Sequence, residues 1–333
     1  MFSISCRHMK KYLTNNVSKS KSFLFSSLST SHNFDIDREL IQKNEFEFTA
    51  IPSDRFSIKG APNGGYLMSI AVKSALKCVD KLDPLTFTAY YINKTLEYIP
   101  IDISVQIIGK SNSTTTVTVQ RSQEGLLRCH FTGHIGTLSR MKGLTKINKK
   151  APILPPVGEC IDAVGLMRKA LGSDMTIANE IDYRLPKSCH FVSTTLDGKQ
   201  GDIASMNGWV GFNIPRNLCM ESLSFLSDAF PPPVLNFARF GWVPTLEYTV
   251  HFWNRPIIHT DSNDSDYNNY NNHLSLTDND SIDHKKSWLR LKAETTYVQN
   301  SMCYLDNELW SADGEVLLTT SRQLARVMIP INK

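Results

Sequence analysis

No two of the seven cysteines form a C-x-x-C pair; they are odd in number and scattered (Cys6, Cys78, Cys129, Cys160, Cys189, Cys219, Cys303). That usage gives neither a disulfide framework nor a zinc ribbon and suits a reducing compartment. No apolar run approaches the roughly 18 residues that a membrane helix needs. Charge of one sign is also scarce. The formal net charge is +4, but residues 1–34 hold five basic side chains (Arg7, Lys10, Lys11, Lys19, Lys21) and no acidic one, which leaves the body at 31 basic against 32 acidic. Binding to nucleic acid needs a basic face on the folded domain itself, so no nucleic-acid partner is expected.

Several catalytic signatures are missing as well. There is no G-x-S-x-G turn to expose a serine nucleophile and no G-x-G-x-x-G loop for a dinucleotide. Gly109-Lys110-Ser111 imitates the end of a phosphate loop, but Ser104 stands where the leading glycine belongs. His130 and His134 are four apart, which grips a metal only on a helix; their segment alternates like a strand and offers no third ligand. No metal or other cofactor is therefore expected. His251, in TVHFWNR, fits a strand histidine packed beside aromatics.

What is present begins with an ordinary globular composition, 41% hydrophobic and 20% charged, enough for one large core or two modest ones. Residues 1–34 combine positive charge, nine serines and no acid, with hydrophobes dispersed rather than gathered into a secretory core. That pattern is the one of a mitochondrial transit peptide, so a mitochondrial location is expected; the bland alternative is a disordered basic tail.

Beyond it, two segments look alike. In the first, Asn63 caps a helix in which Leu67, Ile70, Ala71, Ala75, Cys78 and Val79 recur at helical spacing. Extended runs follow, among them IDISVQIIG, where Ile101, Ile103, Val105 and Ile107 alternate with Asp102, Ser104 and Gln106. The second segment repeats that order: LCMESLSFLSDAF reads as a helix, then TLEYTVHFWNR, SWLRLKAETTYV and VLLTTSRQLARV as strands. A shift of 161 sets Tyr91, Asn93 and Lys94 against Phe252, Asn254 and Arg255, an echo that points to internal duplication. The domain layout expected is 35–140 for the first repeat, 141–180 for a basic, Pro-rich linker and 181–333 for the second repeat. The Asn/Asp/Ser-rich stretch 259–286 interrupts the second repeat and is too polar to order itself. The linker cations Arg140, Lys142, Lys146, Lys149 and Lys150 are read as solvated rather than as phosphate ligands.

One residue stands out. The run from Leu218 to Phe230 is apolar on all sides, as a buried helix is, and it carries Asp228 inward with it before Pro231 ends it. A buried carboxylate is costly unless hydrogen bonds hold it or its altered pKa has a use.

The combination SDAFPPP, VPTLEYTVHFWNRP and ELWSADGEVLLTTSRQLARV resembles the thioesterase-like superfamily of type II acyl-CoA thioesterases. The first half agrees, since APNGGYLMSIAVKSAL followed by DPLTFTAYYINK is similar to the family's first domain. The resemblance covers about residues 45–140 and 205–328. It implies an α+β double hotdog: two antiparallel sheets, each wrapped around a central helix, packed side by side as a pseudo-dimer. It also implies a small-molecule acyl-CoA as partner, with no membrane span, and leaves a homo-oligomer open. The family's catalytic aspartate, threonine and glutamine map onto Asp228, Thr245 and Gln323, which would hold and activate a water without a metal or a covalent intermediate. Asn63, Gly64 and Gly65 fall at the substrate-binding helix start, where the two glycine amides would steady an oxyanion.

Strand alternation places Thr245 with Glu247, Thr249 and His251, off the core face; a bulge beside Pro244 is what would bring it inward. Two rival functions remain at this stage: a hotdog protein that binds acyl-CoA or lipid without chemistry, and a hotdog enoyl-CoA hydratase. The second would want a histidine beside Asp228 on one helix, and the sequence shows none there.

Overall fold

The computed structural model describes residues 32–171, 174–197, 203–236, 242–256 and 287–328. The expected address at 1–34 lies almost wholly outside them, as does the low-complexity stretch 259–286. The chain divides into two units, Met1–Asp37 and Arg38–Lys333. The described part of the first is one short helix, α1 (Asn33–Ile36), capped by the His32 side chain accepting from the Phe34 amide. All that follows concerns the second unit.

Its first half contains β1 (Ile41–Gln42), β2 (Glu47–Ala50), β3 (Ser57–Ile58), β4 (Ala61–Pro62), α2 (Gly64–Lys77), β5 (Asp83–Tyr91), β6 (Ile101–Lys110), β7 (Thr115–Gln123) and β8 (Leu126–Gly136). Helix α2 starts where its cap requires, with the Asn63 side chain accepting from the Tyr66 amide at 2.9 Å. Every residue from Gly65 to Val72 is buried, as expected of a helix around which a sheet curls. Its serines enter without unmet polar atoms, because Ser69 and Ser74 donate back to the carbonyls of Tyr66 and Ala71. On β6, Ile101, Ile103 and Val105 are buried and Asp102, Ser104 and Gln106 exposed, the period of two that the sequence predicts.

The second half contains β9 (Ile161–Asp162), α3 (Val164–Leu171), β10 (Ile181–Leu185), α4 (His190–Asp197), β11 (Ser205–Phe212), α5 (Met220–Leu226), β12 (Thr245–Phe252), β13 (Leu289–Gln299), β14 (Met302–Trp310) and β15 (Leu317–Arg326). The stretch 141–180, read as a linker, thus carries an edge strand and a helix. Its basic part stays exposed.

Thirteen of the fifteen described strands form one antiparallel sheet, β1-β2-β6-β7-β8-β5-β12-β15-β14-β13-β11-β10-β9, and β3 and β4 pair separately. Within it the order β2-β6-β7-β8-β5 is repeated in reverse by β12-β15-β14-β13-β11, so each half contributes the same five-stranded pattern. The sequence reading expects two sheets side by side; here they are joined edge to edge, since open strand edges satisfy one another when they pair.

The seam is β5 against β12, and it is centred on Thr88 opposite Thr249, residues related by the shift of 161, with hydroxyls 2.9 Å apart. The repeat extends to irregularities. Bulges fall between Pro84 and Thr86 on β5 and between Thr245 and Glu247 on β12, again 161 apart. The Asn93 side chain donates to Leu127 O at 2.9 Å, and Asn254 donates to Leu317 O at 2.9 Å. These matched bonds are why the Asn echo appears in both halves.

Candidate active site

Helices α2 and α5 meet closely. A Cβ on Gly65 would lie 2.8 Å from Ser224 O and from Asp228 Cβ, so only glycine lets the start of α2 reach the end of α5. This contact brings Asp228 to its partners. The expectation that Asp228 lies inside a buried helix is corrected: α5 stops at Leu226, Ser227 caps it, and Asp228 follows in the turn. The Ser227 hydroxyl bonds back to Leu223 O and to Thr319 Oγ1, and prolines 231–233 prevent the helix from resuming. Ending there turns the carboxylate out of the apolar layer and onto a cavity wall.

Four hydrogen bonds form the site. Asp228 Oδ2 accepts from the Gly65 amide at 2.6 Å and from Asn63 Nδ2 at 3.0 Å. Its Oδ1 accepts from Gln323 Nε2, and Gln323 Oε1 accepts from Thr245 Oγ1 at 3.3 Å. The three residues mapped by resemblance therefore form one chain, Thr245 to Gln323 to Asp228. Thr245 enters it through the bulge at Thr245/Glu247, where the extra residue Leu246 breaks the alternation and reverses the facing of Thr245.

Asn63 and Gly65, expected on substrate, are engaged by the carboxylate itself. Gly64 remains at the head of α2, where a helix leaves its first amides without internal acceptors. An anion before a helix start is favoured by those amides and by the helix dipole.

Tyr91 is the residue that the sequence reading missed. Its hydroxyl donates to Gly64 O at 2.7 Å, while the amide on the other side of that same peptide, Gly65 N–H, donates to Asp228 Oδ2. The peptide is held from both ends, and each bond polarises the other. One signal for it was available, because the repeat sets Tyr91 against Phe252: the same ring, with a hydroxyl in the first half only.

Burial raises the Asp228 pKa from 3.8 to about 6, opposed by the hydrogen bonds from Gly65, Gln323 and Asn63. The groups that face it are neutral phenols. Tyr91, Tyr183 and Tyr248 are all pushed well above the usual tyrosine value, by burial first and by the Asp228 charge second. The result is a carboxylate that is ionised near neutral pH yet basic enough to take a proton.

Asp228, Thr245 and Gln323 line a cavity of about 690 Å³. Its floor is apolar and buried, with Leu67, Leu235 and Leu305 each 3% exposed or less. Among the described residues no three His, Cys, Asp or Glu side chains gather to hold a metal. His134 is instead bonded to Thr116 at 3.0 Å, and His251 lies beside Trp253 with ring centroids 6.3 Å apart. No described helix is long and apolar enough to cross a membrane.

The chain as a whole is similar to known proteins. The family model for the acyl-CoA thioesterase N-terminal domain matches residues 51–138, and that for the C-terminal domain matches 167–261. No curated protein matches the chain. Among solved structures, a conserved protein of unknown function with a hot dog fold from Alicyclobacillus acidocaldarius is 20% identical, with 91% of this chain and 100% of that one covered at a TM-score of 0.70. The acyl-CoA thioesterase II TesB2 of Mycobacterium marinum is 14% identical, with 90% and 100% covered at 0.62. The tesB protein of Mycobacterium avium subsp. paratuberculosis is 12% identical, with 88% and 97% covered at 0.63. At such identities these likenesses show the hotdog fold. The two family models, matched in succession along one chain, carry the rest: this chain belongs to the acyl-CoA thioesterase family and is a thioester hydrolase.

Proposed function

We propose that the protein is a double-hotdog acyl-CoA thioesterase, a fused pseudo-dimer that hydrolyses an acyl-CoA to free acid and CoA through a water activated by Asp228. The observation that carries this reading is the chain Thr245–Gln323–Asp228 on the cavity wall, ending in a carboxylate of raised pKa.

Each carboxylate oxygen has two lone pairs. Oδ2 spends both on Gly65 and Asn63, and Oδ1 spends one on Gln323, so one acceptor position remains on Oδ1. A water there gives one hydrogen to Oδ1 and the other to Gln323 Oε1, whose free lone pair lies alongside. With both hydrogens held, its own lone pair is aimed at the thioester carbonyl. As the water oxygen bonds to the carbonyl carbon, its proton passes to Asp228. The carbonyl oxygen becomes an oxyanion, which the amide of Gly64 and the dipole of α2 stabilise. Collapse breaks the C–S bond, and the proton on Asp228 leaves with the thiolate of CoA. No metal takes part in this scheme and no acyl group is bound to the enzyme.

Thr245 is a positioning residue here, since its hydroxyl holds the Gln323 amide in the orientation that presents Nε2 to Asp228.

The test is to incubate the purified chain with acyl-CoAs of graded length while free thiol is followed. Thiol release at a preferred length is expected; saturable binding with no release would favour a carrier. The basic, serine-rich residues 1–34 support import into mitochondria, which a fused reporter would report and which cytosolic retention would contradict.

A further inference from the structure

The cavity has two chemically different ends. Its buried floor is leucine, whereas its mouth is marked by exposed side chains, among them Lys59 and Lys94. Both belong to the surroundings of one turn. Lys59 and Gly60 are the two-residue connection between β3 and β4, and the Lys94 ammonium lies 3.8 Å from where a Cβ on Gly60 would stand.

Lys59 is in an unusual backbone state, with φ +51° ahead of Gly60 at φ +69°. Hairpin turns of this hand prefer Asn, Asp or Gly, and a long side chain there is strained. The turn is nevertheless pinned. Ser57 pairs with Pro62 and Ile58 with Ala61, and the Lys59 amide donates to Asp174 O at 2.7 Å. The turn thereby holds the Lys59 backbone in one place at the cavity mouth.

The side chains are equally telling. Among the described residues neither ammonium has a carboxylate partner; that of Lys59 lies 5.8 Å from the Trp242 ring centroid. Two cations at one cavity mouth without a counter-charge attract an anion that enters it.

We propose that Lys59 and Lys94 form an anion subsite that holds the phosphates of the coenzyme A moiety. The proposal rests on the thioesterase reading for its ligand. A thioester with its carbonyl at Asp228 and its acyl chain on the leucine floor can leave only through the mouth. The anionic end of its thiol arm then meets the two ammoniums, while the apolar floor takes no charge. The subsite thereby makes the nucleotide end a binding determinant that is separate from the hydrolytic chain.

The experiment compares one acyl group carried on CoA and on pantetheine, which lacks the nucleotide and its phosphates. The wild-type protein is set against Lys59→Asn, which suits the positive φ, Lys94→Ala, and the double variant. For the double variant KM for the acyl-CoA should rise roughly tenfold with kcat unchanged, as expected for two partly exposed charged contacts. The pantetheine thioester should show no change, and raised salt should weaken only wild-type use of acyl-CoA. Calorimetric binding of free CoA should weaken in parallel, and Lys94→Arg should retain it.

An unchanged KM for acyl-CoA, or an equal rise for both thioesters, overturns the proposal. If the wild-type protein hydrolyses neither thioester, the thioesterase reading fails on its own, and lysine-dependent binding of free CoA still decides the subsite.

Discussion

Replacing Asp228 by asparagine should make the protein more stable at neutral pH, by an amount that vanishes in acid. Burial lifts the Asp228 pKa from 3.8 to about 6, so the folded state holds that proton more tightly than the unfolded chain does. Below the unfolded value both states are protonated and nothing is lost. Between the two values the unfolded chain gives up its proton while the folded state keeps it, so stability falls as pH rises from 3.8 to about 6, by about 3 kcal/mol in all at 1.36 kcal/mol per pKa unit, and the folded state then carries a desolvated charge. Asparagine has no such charge.

It also fits the network: its oxygen accepts from Gly65 and Asn63, and a flipped Gln323 amide presents its oxygen to the new NH2 and its nitrogen to Thr245. Urea unfolding of both proteins at pH 4 and pH 7.5 reads the effect, because all other groups titrate alike in the two. The stability difference should move in favour of the variant by about 2.4 kcal/mol between the two pH values. A difference that is the same at both would mean that the carboxylate is not destabilised, and the base would lose its physical ground.

Two further outcomes follow from the same geometry. Tyr91→Phe frees the Gly64–Gly65 peptide at one end and weakens the amide bond that holds the Asp228 charge. The acidic limb of the pH–rate profile should therefore move up by about 0.5 to 1 pH unit, the worth of one modest hydrogen bond, whereas a purely structural tyrosine would leave it in place. Gly65→Ala puts a Cβ 2.8 Å from Ser224 O and 2.9 Å from Phe225 O, backbone atoms that cannot yield. Helix α2 must then back away from α5, and thiol release should drop roughly 100-fold with a stability loss of about 1–3 kcal/mol, even though alanine is the better helix former. Thermal melting read beside thiol release would expose an alanine that is tolerated.

Much of this was legible in the chain because local rules decide it. Asn63 caps α2, period-two alternation gives β6, and the shift of 161 finds matched asparagine bonds and matched bulges. Thr245 is the instructive case: alternation alone turned it away, and only the bulge beside Pro244 restores it. Other features were out of reach, since they depend on surfaces brought together late. Pairing of β5 with β12 joins two edges that each look complete in their own half. The exit of Asp228 from its helix hangs on the Ser227 hydroxyl and its contact with Thr319, 92 residues away in sequence.

The duplication also explains why the polar chain occurs once. Gln323 pairs with Tyr248 on β12, and the matching pair in the first half is Gly133 with Phe87, whose ring lies 2.5 Å from where a Cβ would be. Pro84 stands where the second half has Thr245. An aromatic ring therefore fills the place of the amide, and the first half serves the site through Asn63, Gly65 and Tyr91 instead.

The most direct test of the whole account is thiol release by Asp228→Asn protein at saturating acyl-CoA, with binding measured alongside. Turnover should fall by roughly 10² to 10⁴, the usual worth of general acid–base catalysis, while acyl-CoA binding survives. Undiminished thiol release by the well-folded variant would contradict the mechanism and leave Asp228 as a structural carboxylate.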